Sequence, residues 1–261
     1  MLETLATRPD PLLFLIAGFP LSLAALALGY TLTVRYSRDG DEKAEAAFGL
    51  GQAAIFGLIA LILGFSFSFA AERFEARRAL IVNEADAVGT TYLRADFLPA
   101  AQQDRFRRIL LEYTRTRLET YASVSNARAE ALSIERGKVL QAQLWQIALG
   151  EARSDPRNNL YSALTSSINE MIDVSEQQVA ALNNHVPIAI LGFVLLCTIA
   201  GAGLLGVTFG RARSPNVILS VIFCVLFAAT VFTIVDLDQA QGGFIGLDLR
   251  PLQATLDDMK P

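Results

Sequence analysis

Residues Leu61 to Arg78 read LILGFSFSFAAERFEARR. An apolar run spotted with serine passes into a charged one, with no Gly or Pro at the junction to end a helix. One helix is therefore expected to leave an apolar environment and enter a polar one without a break. The rest of the chain says what that apolar environment is.

The chain has 261 residues, 52% of them hydrophobic and 18% charged, with a mean hydropathy of +0.39. Soluble domains carry about 25% charged residues. The apolar residues are gathered into uncharged blocks: Pro11 to Val34 (24 residues), Ala46 to Ala71 (26), Val186 to Gly210 (25) and Asn216 to Val235 (20). A bilayer core of ~30 Å needs roughly 20 apolar residues in a helix. Four transmembrane helices are expected, at 11–34, 46–71, 186–210 and 216–235. The first block is read as a span and not a cleaved leader. Its only preceding basic residue, Arg8, sits among Glu3 and Asp10, although Ala24 to Ala27 offers small residues at which a peptidase could cut. The run also exceeds the roughly 7–15 residues of a leader's apolar region.

Between the pairs of spans lies 72–185, too long for a loop. Phe106, Ile109, Leu110, Tyr113, Arg117 and Tyr121 recur at helical steps, as do Val139, Leu140, Leu144, Ile147 and Ala148. Helix boundaries are expected at Leu98-Pro99, Gly137, Gly150 and Asp155-Pro156. A tail, 236–261, follows the fourth span. The whole reads as an all-α integral membrane protein with a helical domain inserted between spans 2 and 3. An even number of spans puts both termini and this domain on one side. Charge does not say which side, because Arg8, Arg73, Arg77, Arg78 and Arg250 balance Arg35, Arg38, Lys43, Arg211 and Arg213.

Several chemistries find no support. A net charge of −4 offers no footprint for nucleic acid. Cys197 and Cys224 fall inside apolar spans and suggest no disulfide framework. His185 is the only histidine, and no nucleophile elbow, zinc-protease, phosphate-loop or C-x-x-C motif occurs. No catalytic residue, metal site or cofactor is expected. The glycines of GAGLLG at Gly201 to Gly206 lie inside a span and read as a packing face.

On the second span, Leu50, Ala54, Gly57, Leu61, Phe65 and Ser68 share one helical face, with Phe56, Ile59, Leu63, Phe67 and Phe69 on the neighbouring ones. This pattern suits a helix surrounded by lipid and other helices. It equally suits a pore helix whose apolar stripe gates by dewetting. Glu72, Arg73 and Arg77 follow as membrane anchors or as a charged ring in a vestibule.

The segment ILGFSFSFAAERFEARR resembles the second span of bestrophins, which place an Arg and an aromatic residue eight and nine positions after the Phe of a Leu-Gly-Phe triplet; Phe65, Arg73 and Phe74 fit. Val82, Asn83 and Glu84 are similar to a following Val-Asn-Asp pattern in the bacterial members. The tail resembles that of bestrophin-like bacterial membrane proteins through Asp236, Asp238 and Gly243, with Ala240 where a Pro is usual. The resemblance implies an ion channel: a homo-oligomer, a pentamer in the family, in the bacterial inner membrane with termini and middle domain cytoplasmic. Its second spans would ring an axial pore passing small inorganic ions. Carried over, the pore neck is Gly57, Leu61 and Phe65, with Ser68 facing the pore beyond it; Gly57 departs from the bulky residue of the family. Asp236 and Asp238 are too few for the calcium site of the eukaryotic members and read as helix-end acids or partners of Arg250. The alternative is a non-conducting membrane scaffold or signalling protein whose helical domain binds a partner.

Overall fold

The structure is a computed structural model and describes residues 11–36, 42–123, 126–239 and 244–260. Arg8, Arg38, Ala240 and Gly243, used above, lie outside the described residues. Every regular element among the described residues is helical. In chain order they are α1 (Pro11–Tyr36), α2 (Glu42–Arg94), a 3-10 turn (Ala95–Phe97), α3 (Ala100–Ala122), α4 (Ala127–Ser154), α5 (Asn159–Asn183), α6 (Ile188–Ala212), α7 (Val217–Asp238) and α8 (Arg250–Asp258). The chain divides into two compact units, one within Met1–Arg73 and His185–Gln239, the other within Phe74–Asn184 and Ala240–Pro261.

The first unit holds α1, the apolar part of α2, α6 and α7. All four helices are long and apolar enough to cross a membrane. α1 packs on α6 and α7, and α6 on α7. Lipid supplies no hydrophobic drive between helices, so close backbone approach through small residues must do the work. A Cβ on Gly206 would lie 2.0 Å from the carbonyl oxygen of Leu26, and one on Gly29 would lie 2.2 Å from that of Gly203. Gly210 packs in the same way, with Thr33 Cβ 2.6 Å from where its own Cβ would stand. The glycine-rich run of α6 is thus a packing face, as expected. Replacing Gly206 by Ala forces the two backbones apart. The expected cost is about 1–3 kcal/mol, the range for overpacking, read as a lower melting temperature in detergent. An unchanged melt would mean α1 and α6 slide apart freely.

α6 starts after Pro187 and ends where Arg213 takes a left-handed conformation, φ 49°. The Asn216 side chain accepts from the Leu219 backbone N–H at 3.0 Å and so caps α7. At one end of the unit Arg211 bonds Glu45 at 2.9 Å and lies 4.2 Å over the Phe48 ring. Cys197 and Cys224 are buried and free.

The second unit contains the polar part of α2 with α3, α4, α5 and α8. Its core joins Phe106 and Leu110 of α3, Leu140 and Leu144 of α4, and Leu164, Ile168 and Met171 of α5. The stripe read on α3 is the buried face; on α4 the exception is Val139, which is exposed. Two of the expected helix boundaries do not occur. Gly137 and Gly150 lie inside α4, and the real break comes earlier, where Asn126 accepts from the Ala129 N–H. Pro99 and Asp155-Pro156 do bound helices. The tail returns to this unit as α8, burying Leu252 against Ile81, Tyr121 and Leu182. Arg250 bonds its neighbour Asp248 at 2.6 Å and so holds the Asp248 carboxyl down at about 2.

Candidate functional site on the long helix

α2 runs unbroken for 53 residues, through the junction at which the chain turns from apolar to charged. Its apolar part is two-sided. Ile59 and Leu63 are buried, and Phe56 meets Phe223 of α7 edge-on at 5.9 Å. The face carrying Leu50, Ala54, Gly57, Leu61, Phe65 and Ser68 is exposed throughout. Leu61 is 54% and Phe65 57% exposed. A Cβ on Gly57 would meet nothing within 4 Å. Every residue assigned to the neck is exposed, as are Ile55, Leu58, Phe67 and Phe69 on other faces, so the chain covers only the side of the helix that carries Ile59 and Leu63. Ser66 turns its hydroxyl back onto Ile62 O at 2.8 Å, whereas Ser68 is exposed.

The charged residues beyond the apolar part separate by role. Glu72 is exposed. Arg77, grouped with it in the sequence, is only 1% exposed; its Nε donates to Ala181 O at 3.0 Å and its Nη2 to Asn184 O at 2.8 Å. It thus satisfies orphan carbonyls at the C-terminal end of α5. Arg73 is half-buried, with Nη1 3.9 Å from Asp238 Oδ1. Asp238, fully buried at the end of α7, accepts from the Val186 backbone N–H at 3.0 Å and stands 3.4 Å from His185 Nδ1. The carboxylate holds the start of α6 in place by taking a donor just ahead of that helix. Sequence spacing hid this group, since Asp238 and His185 lie far apart along the chain. It also puts the end of span 2, the start of span 3 and the end of span 4 on one side.

A second buried group lies further along α2. Glu84 is fully buried and takes both Nε and Nη2 of Arg117 on α3, and Tyr121 donates to it at 2.9 Å. Asp86, two residues on, is exposed, as expected for different helix faces. Burial and the Glu84 charge together raise the Tyr121 hydroxyl well above its usual range. Burial, then the Glu84 charge, push Tyr113 from 10.0 up to about 12. Each phenol binds its proton more tightly folded than unfolded. The stability this gives is complete below pH 10 and is lost as pH rises through about 12 for Tyr113. Helix content and the tyrosinate absorbance that Tyr113→Phe removes are expected to change together in that window. Ionisation of Tyr113, read as that difference, near pH 10 with the helices intact would contradict it.

The sequence over residues 19–252 matches the bestrophin-like domain. This chain belongs to the bestrophin-like family. Its fold is similar to crystal structures of a bacterial bestrophin homologue from Klebsiella pneumoniae. For one variant the TM-score is 0.67 at 19% identity, covering 94% of this chain and 97% of that one. For another it is 0.68 at 17% identity, covering 95% and 98%. A third structure of the homologue gives 0.65 at 18% identity, covering 96% of each chain. No curated protein matches. At these identities the shared feature is the bestrophin fold, and the bestrophin-like assignment rests on the domain match.

Proposed function

We propose that this bestrophin-like chain is the subunit of an ion channel. Copies of α2 ring an axial pore, in a pentamer as in the bestrophins it resembles, in a bacterial inner membrane with the helical unit and both termini cytoplasmic. Small inorganic ions pass down their gradient. Leu61 and Phe65 form an apolar constriction that conducts only when wetted. Gly57 adds no bulk, so two tight rings make the neck where larger residues would make three. Ser68 faces the pore beyond the neck, and Glu72 with Arg73 lies at its polar mouth.

The observation that carries this reading is the exposed apolar surface of α2. Ile59 and Leu63 are packed by the chain's own helices, but Leu61 and Phe65 beside them are not. The test is flux from liposomes holding the purified protein, with K⁺ and Cl⁻ gradients imposed separately. Passage of either ion supports the channel. A well-folded oligomer that passes neither sinks it, and α2 is then the strut of a membrane scaffold.

A further inference from the structure

His185, the single histidine of the chain, precedes α6 and meets the end of α7. Its Nδ1 stands 3.4 Å from Asp238 Oδ2, and Arg73 Nη1 of α2 stands 3.9 Å from the other oxygen, Oδ1. Asp238 is fully buried and already accepts from the Val186 N–H, at 3.0 Å on Oδ1 and 3.1 Å on Oδ2. His185 Nδ1 and Arg73 Nη1 are buried atoms that complete no hydrogen bond. Buried polar atoms are normally satisfied, so two unsatisfied nitrogens beside one buried carboxylate mark contacts that are not fully closed. Each nitrogen has its own oxygen, so closing one contact does not open the other.

The other charges on these elements are few. On α7 there is Asp236, buried two residues before Asp238. On α2 Glu72 is exposed, and Arg77 donates to the Ala181 and Asn184 carbonyls. α1 and α6 carry no charge until Arg35 and Arg211, near their C-terminal ends. A neutral imidazole donates from one nitrogen and accepts at the other. Facing a carboxylate, Nδ1 must be the donor, because two acceptors would repel, and Nε2 is then bare. A second proton, taken at Nε2, makes the ring a cation. The Nδ1 contact then becomes charge-assisted, for which the usual length is about 2.7–2.9 Å. The side chain is 21% exposed, so that proton can come from solvent. Histidine is the side chain whose charge ordinarily changes between pH 5 and 8.

We propose that His185 is a proton-operated latch, which on taking its second proton closes onto Asp238 and ties the start of α6 to the end of α7. The Val186 N–H makes the same joint without any proton, so the latch tightens a connection that already exists. The joint is firm in mild acid and slacker above neutrality.

The test uses the full chain in detergent and reads the latch, not flux, so it stands or falls separately from the channel reading. From pH 8 down to pH 5.5, above the range in which carboxylates ordinarily titrate, the wild-type melting temperature is expected to rise. The rise should be roughly 2–4 °C, what one ion pair gives a chain of this size. His185→Gln and Asp238→Asn cannot form the pair and are expected to lose the rise. With one histidine, ¹⁵N-labelled imidazole gives a single pair of ring signals that needs no assignment. At pH 8 the ring proton is expected on Nδ1, a result that stands even where Asp238→Asn does not fold. Three results overturn the proposal: the neutral ring protonated on Nε2, a wild-type melt that does not rise in acid, or a rise that survives in His185→Gln or in folded Asp238→Asn.

Discussion

Leu61→Ala/Phe65→Ala is expected to pass ions faster than wild type from reconstituted liposomes. A hydrophobic constriction blocks ions by expelling water, and the barrier falls as the ring widens and loses apolar surface. Both side chains are exposed on α2. Truncating them therefore opens no cavity inside the subunit, and stability should change little. An increase on the order of tenfold corresponds to about 1.4 kcal/mol off the barrier. Ile59→Ala is the control. Ile59 is buried against Gly201, so its truncation should lower the melting temperature and leave the conducting path alone. If the double variant conducts no faster than wild type while Ile59→Ala does, the pore face has been placed on the wrong side of the helix.

Glu84→Gln is expected to destabilise the helical unit more than any other conservative change. Glu84 and Arg117 are both buried, and the pair is completed by Tyr121, to which Gln178 in turn donates. Removing one charge leaves the guanidinium in the core without its counter-ion, which costs about 3–5 kcal/mol. The melting temperature should fall by on the order of 10 °C at that cost. Adding Arg117→Met removes the stranded charge and should restore part of the loss, because apolar replacement of a buried ion pair is often neutral or better. A melt unaffected by Glu84→Gln would mean that Arg117 reaches water.

Much of the architecture was legible in the chain. A membrane-spanning helix must satisfy its backbone internally and offer lipid an unbroken apolar surface, so the four uncharged blocks stand out without help from neighbours. The α3 stripe was equally clear, because one helix face packs on one core. Glycine misled at Gly137 and Gly150. The residue that ends helices also makes space inside them, and α4 continues through both. The break that does occur ahead of α4 is signalled only by the Asn126 cap, a weaker mark than glycine or proline.

The site divides in the same way. Gly57, Leu61 and Phe65 share a face because helices repeat every 3.6 residues, so their alignment follows from spacing alone. Which face of α2 stays uncovered does not, since it depends on where α6 and α7 place Gly201 and Phe223. Arg77 shows the limit. Its position in ERFEARR matches an outward-facing charge, yet it turns inward because the carbonyls of Ala181 and Asn184 need a donor. Lipid exclusion and helical periodicity act locally, and the sequence by itself determined the apolar spans, the all-helical class and the shared face of Gly57, Leu61 and Phe65. The Glu84–Arg117 pair and the Asp238 bond to Val186 join residues far apart along the chain. Only the tertiary structure decided them, because burial, not spacing, selects the partner a buried charge must find.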